Sequence, residues 1–295
     1  MASWILIAIV AYLLFALNGV ADKFLLTHSD HHPSTYVFYL GISSLVVLVL
    51  SGFGLHMLPW PTLLLALLAG VSFAYALLFF YRAIQQTSIS RILPIEGGLV
   101  PIFSLILAYI TKIEIFDAKE LIAFGFLVVG SVLMAFKKTE SGWHAKAWYH
   151  ATIAAILFAV SFILTKFIYQ QTNFISGLVW TRLGLAVGAL TLLMWPLARR
   201  HIIAAPKTVT TGNKVLFYAA AAAGGAASFL QNYAIARGSV VIVNALQGVQ
   251  FAFVLIISLF LSEFYPKVLK EDISAGILLQ KIIAIILISI GLFRL

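Results

Sequence analysis

The chain has 295 residues, of which 62% are apolar and 10% charged, against roughly 45–50% and about 25% in soluble domains. A chain of this length cannot hide such a surplus in a globular core, so lipid must solvate much of its surface and a soluble globule is excluded. Cysteine is absent, which removes disulfide frameworks, thiolate metal sites and cysteine nucleophiles, and the formal charge of +9 is scattered between apolar runs as loop charge, not gathered into a nucleic-acid surface.

A membrane span needs about 20 predominantly apolar residues. Ten stretches qualify: about 3–26, 34–52, 60–86, 88–111, 119–136, 148–170, 174–197, 213–237, 239–262 and 276–294. The first lacks a basic start and no A-x-A-like site follows it, so it reads as a transmembrane helix and not as a cleaved signal. It ends on Asn18, Asp22 and Lys23. The loop after it holds His28, Asp30, His31 and His32, which are metal-ligand residue types, but adjacent side chains on an extended loop diverge and no metal site is expected. The third and fourth spans are separated only by Gln85-Gln86-Thr87-Ser88, and the eighth and ninth only by Arg237-Gly238-Ser239.

The fourth span carries the sequence Leu93-Pro94-Ile95-Glu96-Gly97-Gly98-Leu99-Val100-Pro101. A charge at membrane depth costs roughly 2.5–3.5 kcal/mol on insertion scales, so Glu96 is a functional candidate by default. Pro94 and Pro101 each remove a backbone donor, and Gly97 and Gly98 relax the chain between them. A kinked or locally opened helix is expected there, with Glu96 binding a cationic group or carrying a coupling proton; the alternative is a structural ion pair with an Arg. The sixth span ends on Ser161, Thr165 and Lys166, the end that corresponds to Asn18, Asp22 and Lys23 of the first, and Lys23 and Lys166 are gating groups or interfacial snorkelling residues. Arg182 lies within the seventh span, where its planar fork suits a substrate carboxylate, with Trp180 as an apolar wall. Snorkelling to the interface or pairing with Glu96 are the alternatives. Tyr81, Tyr233, Gln231 and Asn232 are weaker cavity candidates on the third and eighth spans. On the ninth, Asn244, Gln247 and Gln250 recur at steps of three and share one broad face, a second cavity wall or an interhelical hydrogen-bonding seam.

The two halves correspond. Leu14-Phe15-Ala16 through Lys23-Phe24 matches Leu157-Phe158-Ala159 through Lys166-Phe167, Leu40-Gly41 matches Leu183-Gly184, and Ala83-Ile84 with Ser88 matches Ala234-Ile235 with Ser239. Five spans per copy is odd, so the second copy must cross the membrane in the opposite sense. Such inverted repeats build secondary transporters whose substrate sites lie near the midplane. The expected organisation is a first repeat over 1–138, a linker over 139–147 and a second repeat over 148–295.

The Tyr81-Arg82-Ala83-Ile84 and Tyr233-Ala234-Ile235 turns, the Ser after each tight bend, and Pro101 followed by Glu114 carry a resemblance to the drug/metabolite transporter superfamily, EamA type. Glu263 closes the ninth span as Glu114 closes the fourth, although Gln250 stands where Pro101 does and a polar insertion runs from Phe264 to Ala275. The resemblance implies an all-α, ten-helix secondary transporter of a small metabolite such as an amino acid, without enzymatic activity or a cofactor, in the cytoplasmic membrane. Its expected partners are the substrate, the bilayer and a coupling proton; a non-transporting sensor or assembly scaffold is the alternative. Lys and Arg are denser after odd-numbered spans, which puts those loops in the cytoplasm by the positive-inside rule. The resemblance implies the reverse orientation, with cytoplasmic termini.

Overall fold

The computed structural model describes residues 2–26, 32–86, 89–136, 145–204, 214–262 and 275–295. The described elements are all helical: α1 Ser3–Leu26, α2 Pro33–Ser43, α3 Trp60–Gln86, α4 Ile89–Thr111, α5 Ala118–Ala135, α6 Ala145–Gln171, α7 Phe174–Thr191, α8 Pro196–Ala204, α9 Lys214–Arg237, α10 Val240–Ala245, α11 Gln247–Ser262 and α12 Ala275–Arg294. Nine helical stretches among them are long and apolar enough to cross a membrane. The remaining predicted span, α9, has 24 residues and the necessary length, but Ala and Gly in place of larger apolar side chains lower its hydropathy. The chain is a polytopic α-helical membrane protein.

The second span changes helix type part-way. α2 passes into a 3-10 stretch, Ser44–Phe53, that ends at Gly54 with a φ of 100°. At the junction Ser44 Oγ donates to the Gly41 carbonyl at 2.7 Å and Ser43 Oγ to the Leu40 carbonyl at 3.0 Å. These back-bonds compete with the helix ladder and favour the tighter turn.

Helix association in lipid depends on close packing of small residues, because the tails are as apolar as the side chains. The tightest crossing is α3 on α7. A Cβ on Gly184 would lie 2.7 Å from the Leu67 Cα, one on Gly188 3.0 Å from the Val71 Cα, and one on Gly70 would strike the Thr181 carbonyl. Other packed pairs fall into related sets: α3 with α6 and α9 with α1, α4 with α6 and α11 with α1, and α5 with α12 across the middle. One relation is broken among the described residues: α3 lies closely on α7, whereas α9 makes no comparable contact with α2.

The expected opening of the fourth span is not found. α4 runs unbroken with both prolines inside it. The carbonyl that Pro101 would strike, four residues before it, belongs to Gly97, whose backbone, free of a Cβ, can tilt that carbonyl aside while the helix continues. The interruption falls instead in the ninth span, at Leu246 between α10 and α11. Carbonyls near that break find side-chain donors: Tyr12 donates to Val243 O at 2.7 Å and Ser131 to Ala245 O at 3.2 Å. Membrane interiors tolerate a broken helix when neighbouring side chains re-satisfy its backbone in this way.

Candidate functional site

A narrow cleft of about 20 Å³ lies where α3, α6, α7 and α9 meet. Its polar wall is formed by Ser161, Thr165, Arg182, Ser228, Gln231 and Asn232, opposite Gly70 and Phe73. Among the described residues, Arg182 is the only charged one lining it. The guanidinium donates to Ser228 Oγ at 2.5 Å and stands 6.0 Å from the Phe73 ring centroid. Asn232 donates to the Ser228 carbonyl at 2.8 Å and accepts from the Tyr169 hydroxyl at 2.9 Å. Gln231 reaches the Tyr12 hydroxyl at 3.3 Å, linking this network to the broken ninth span. The guanidinium holds a single hydroxyl and no described carboxylate, which leaves donors of its fork for a planar anion.

Of the residues singled out from sequence, the cleft brings together Arg182 and Asn232 and places Lys166 one residue from Thr165 on its α6 wall. Trp180 is elsewhere: its indole donates to the His56 carbonyl at 3.0 Å and pins a loop to α7. Asn18 packs on Gly224 where α1 meets α9, with 3.3 Å between its Cγ and the space a Cβ would take. Tyr81 packs against Tyr36 in a tilted arrangement, with ring centroids 4.5 Å apart. The ninth-span seam is divided, since Asn244 is buried and donates to Ser104 Oγ at 3.0 Å, an interhelical tie between α10 and α4. Gln247 and Gln250, beyond the break, are half-buried and do not line the cleft. The side chain of Lys23 and all of Ser88 and Glu263 lie outside the described residues.

Glu96 is 3% exposed, and both carboxylate oxygens are buried without a hydrogen-bond partner among the described residues. No ion pair with Arg182 or any other described cation is present; the one described ion pair is elsewhere. Glu96 also lies apart from the cleft lining. Among the described residues, the expected single cavity containing Glu96, Arg182 and the ninth-span amides is therefore separated into a polar cleft around Arg182 and an unpartnered carboxyl on α4. Gly97 and Gly98 serve the packing of this helix: a Cβ on Gly97 would meet the Phe251 ring at 3.0 Å, and one on Gly98 would meet Val132 at 2.8 Å.

Lys166 belongs to a latch at one end of the bundle. Its ammonium donates to the Ile235 carbonyl at 3.0 Å and the Gly238 carbonyl at 2.5 Å, the C-terminal end of α9. Glu114 accepts from Ser239 Oγ at 2.7 Å and from Val240 N at 2.8 Å, the N-terminal end of α10. The two charges are 3.9 Å apart. Each thus sits at the helix end whose dipole favours it. Together they tie the ends of α4 and α6 to the turn between α9 and α10. Such caps are worth about 1–2 kcal/mol. Because the chain lacks cysteine, a single Val240→Cys reporter can read this closure with a membrane-impermeant maleimide. Glu114→Ala is expected to speed labelling by about five- to thirtyfold, the same free energy expressed as an opening equilibrium. An unchanged rate would show that the turn stays shut without the carboxylate.

Sequence reasoning missed Ser228, Tyr169 and Tyr12, yet a signal existed for two of them. Ser228 stands at i, i+3, i+4 spacing with Gln231 and Asn232, and Tyr169 continues the Ser161–Thr165 stripe by another four residues.

A crystallographically solved protein shares 17% sequence identity with this chain, covers 99% of it and 96% of its own length, and superposes with a TM-score of 0.68, which establishes a common fold. No curated protein matches the sequence. Residues 2–136 match the EamA-like transporter family, so the likeness to that family covers the first half of the chain.

Proposed function

We propose that the chain is a secondary-active transporter of a small metabolite carrying an anionic group, an amino acid or related carboxylate, by alternating access between two inverted repeats. The observation that carries this reading is Arg182, the one charged group among the described residues of a polar cleft at membrane depth. A cation there is costly and serves a partner of opposite charge. The repeat assignment, 1–138 and 148–295, draws support from the related helix pairs, and the family match extends over the first of the two. Repeats that differ in one packed pair, α3 on α7 against the looser α9 and α2, are what a transporter stopped on one side of its cycle requires. The Glu114–Lys166 latch would hold shut the end at which it lies.

Glu96 supplies the coupling group in this proposal. A buried carboxyl with two orphaned oxygens is stabilised by gaining a proton or a cationic partner. Glu96→Gln imitates the protonated side chain permanently. In proteoliposomes loaded with a panel of amino and keto acids, the variant is expected to lose accumulation driven by a pH gradient at least tenfold. Exchange of labelled for unlabelled substrate, which needs no net proton movement, should persist. If gradient-driven accumulation survives in the variant, Glu96 is not the coupling site. If the wild-type protein moves none of these compounds, the anion-transport reading itself falls.

A further inference from the structure

Outside the cleft, a second concavity lies where α8 meets α2. It is an open groove of about 510 Å³, walled by Phe38, Tyr39, Leu193, Met194, Ile202 and Ile203, with Arg199 as its one charged residue. α8 follows the seventh span directly and folds back on its end, so its long axis is docked at the rim of the bundle and not buried in it. Two anchors hold it. Ala198 and Ile202 are buried, and the Tyr39 hydroxyl donates to the Ile202 carbonyl at 3.3 Å. The His201 ring stacks on His32 with centroids 4.1 Å apart and planes 2° from parallel.

What this docking leaves outward is a mixture that neither water nor hydrocarbon alone satisfies. Met194 is 78% exposed, Leu197 65% and Ile203 60%, while Arg199 and Arg200 are exposed alongside them. α8 contains no acidic residue, and neither arginine is paired with a described carboxylate. An amphipathic helix of this composition belongs at the boundary between headgroups and acyl chains. The groove volume falls within the range of about 300–1,000 Å³ that holds a small ligand.

We propose that this groove is a binding site for one anionic phospholipid. An acyl chain lies along Phe38, Leu193, Met194 and Ile203, and the headgroup phosphate is held by Arg199 and Arg200. Charge complementarity selects this occupant. A zwitterionic lipid would bring its own cation to two arginines, and a soluble metabolite would leave the apolar wall uncovered. Arginine is suited to phosphate because its fork donates two parallel hydrogen bonds, and basic sites at the cytoplasmic or matrix face of membrane proteins recognise anionic headgroups on the same basis. The bound lipid would bridge α2 and α8 and stiffen the end of the seventh span, on which Arg182 is carried.

The test uses the purified full-length chain in a neutral detergent, titrated with phosphatidylglycerol or phosphatidylcholine and read by native mass spectrometry. Phosphatidylglycerol is expected to saturate at one molecule per chain, with at least tenfold preference over phosphatidylcholine. R199Q/R200Q should reduce that affinity at least tenfold. Met194→Trp, which fills the groove and leaves both arginines in place, should reduce it comparably, so failure of one variant to fold leaves the other to decide. Glycerol phosphate should not displace the lipid. Equal binding of both lipids, undiminished binding in either folded variant, or full displacement by glycerol phosphate would each overturn the proposal.

Discussion

Arg182→Gln is expected to abolish binding of carboxylate substrates, with affinity falling at least thirtyfold. The guanidinium is the one charged group among the described residues of the cleft wall and already spends one donor on Ser228 Oγ. Truncating one partner of a buried, hydrogen-bonded charge pair costs roughly 2–5 kcal/mol. The lower figure corresponds to about thirtyfold and the upper to more than a thousandfold, at 1.4 kcal/mol per decade. Arg182→Lys keeps the charge but loses the planar fork, so it should fall between the two. The measurement is a thermal-shift titration of the purified protein with amino acids, keto acids and the corresponding amides. Wild-type protein should respond to the carboxylates and not to the amides. Gln at this position should respond to neither, with its own unfolding temperature preserved because Gln can still bond Ser228. A carboxylate response of wild-type size in Arg182→Gln would exclude the residue from substrate binding.

Gly184→Val is expected to remove the folded protein altogether. At this crossing α7 lies against the backbone of α3, and the first atom of any side chain would overlap the Leu67 carbonyl and stand 2.7 Å from the Leu67 Cα. Backbone atoms cannot swing aside as a flexible side chain can. The helices must separate, and with them go the fits of Gly188 on Val71 and of Gly70 on Thr181. Overpacking costs about 1–3 kcal/mol where neighbours relax, and more where they cannot. Detergent extraction followed by size-exclusion chromatography should show loss of the monodisperse peak. Gly19→Ala provides the contrast, since no atom outside its own helix lies within 4 Å of the added carbon. It should be neutral or stabilising, by up to about 1 kcal/mol. A folded, monodisperse Gly184→Val protein would mean that the α3–α7 contact is not essential.

The spans were readable because their signal is local and strong. Hydropathy over about 20 residues decides whether a segment crosses lipid, and the predicted 3–26, 60–86 and 276–294 lie within a residue of helices α1, α3 and α12. Single residues with a large insertion cost were readable for the same reason: Glu96 is indeed buried, and Arg182 does line a polar cleft. Reading which of them meet one another was another matter. Glu96, Arg182 and Gln247 looked like walls of a single cavity because each sits within an apolar run. In the folded chain the first has no hydrogen-bond partner among the described residues, the second bonds Ser228 and the third lies past the break at Leu246. The local opening expected from the prolines is absent on α4, where the carbonyl facing Pro101 belongs to the adaptable glycine at 97. Trp180 looked like a neighbour of Arg182 by proximity in sequence, yet two residues on a helix point about 200° apart, and its indole reaches the His56 loop instead.

From the sequence alone follow the solvent, the helical class, the ten candidate spans and the correspondence between halves, because each depends on composition or on short-range order along the chain. Only the tertiary structure decides that Glu114 and Lys166 share the α9–α10 turn, that Arg182 and Asn232 share a cleft, and that Glu96 has no partner among the described residues. The physical reason lies in how helices pack. Rotation and height of one helix against another are set by where small residues allow backbones to approach, and at membrane depth a polar group's meaning is set by which partner that approach brings within 3 Å.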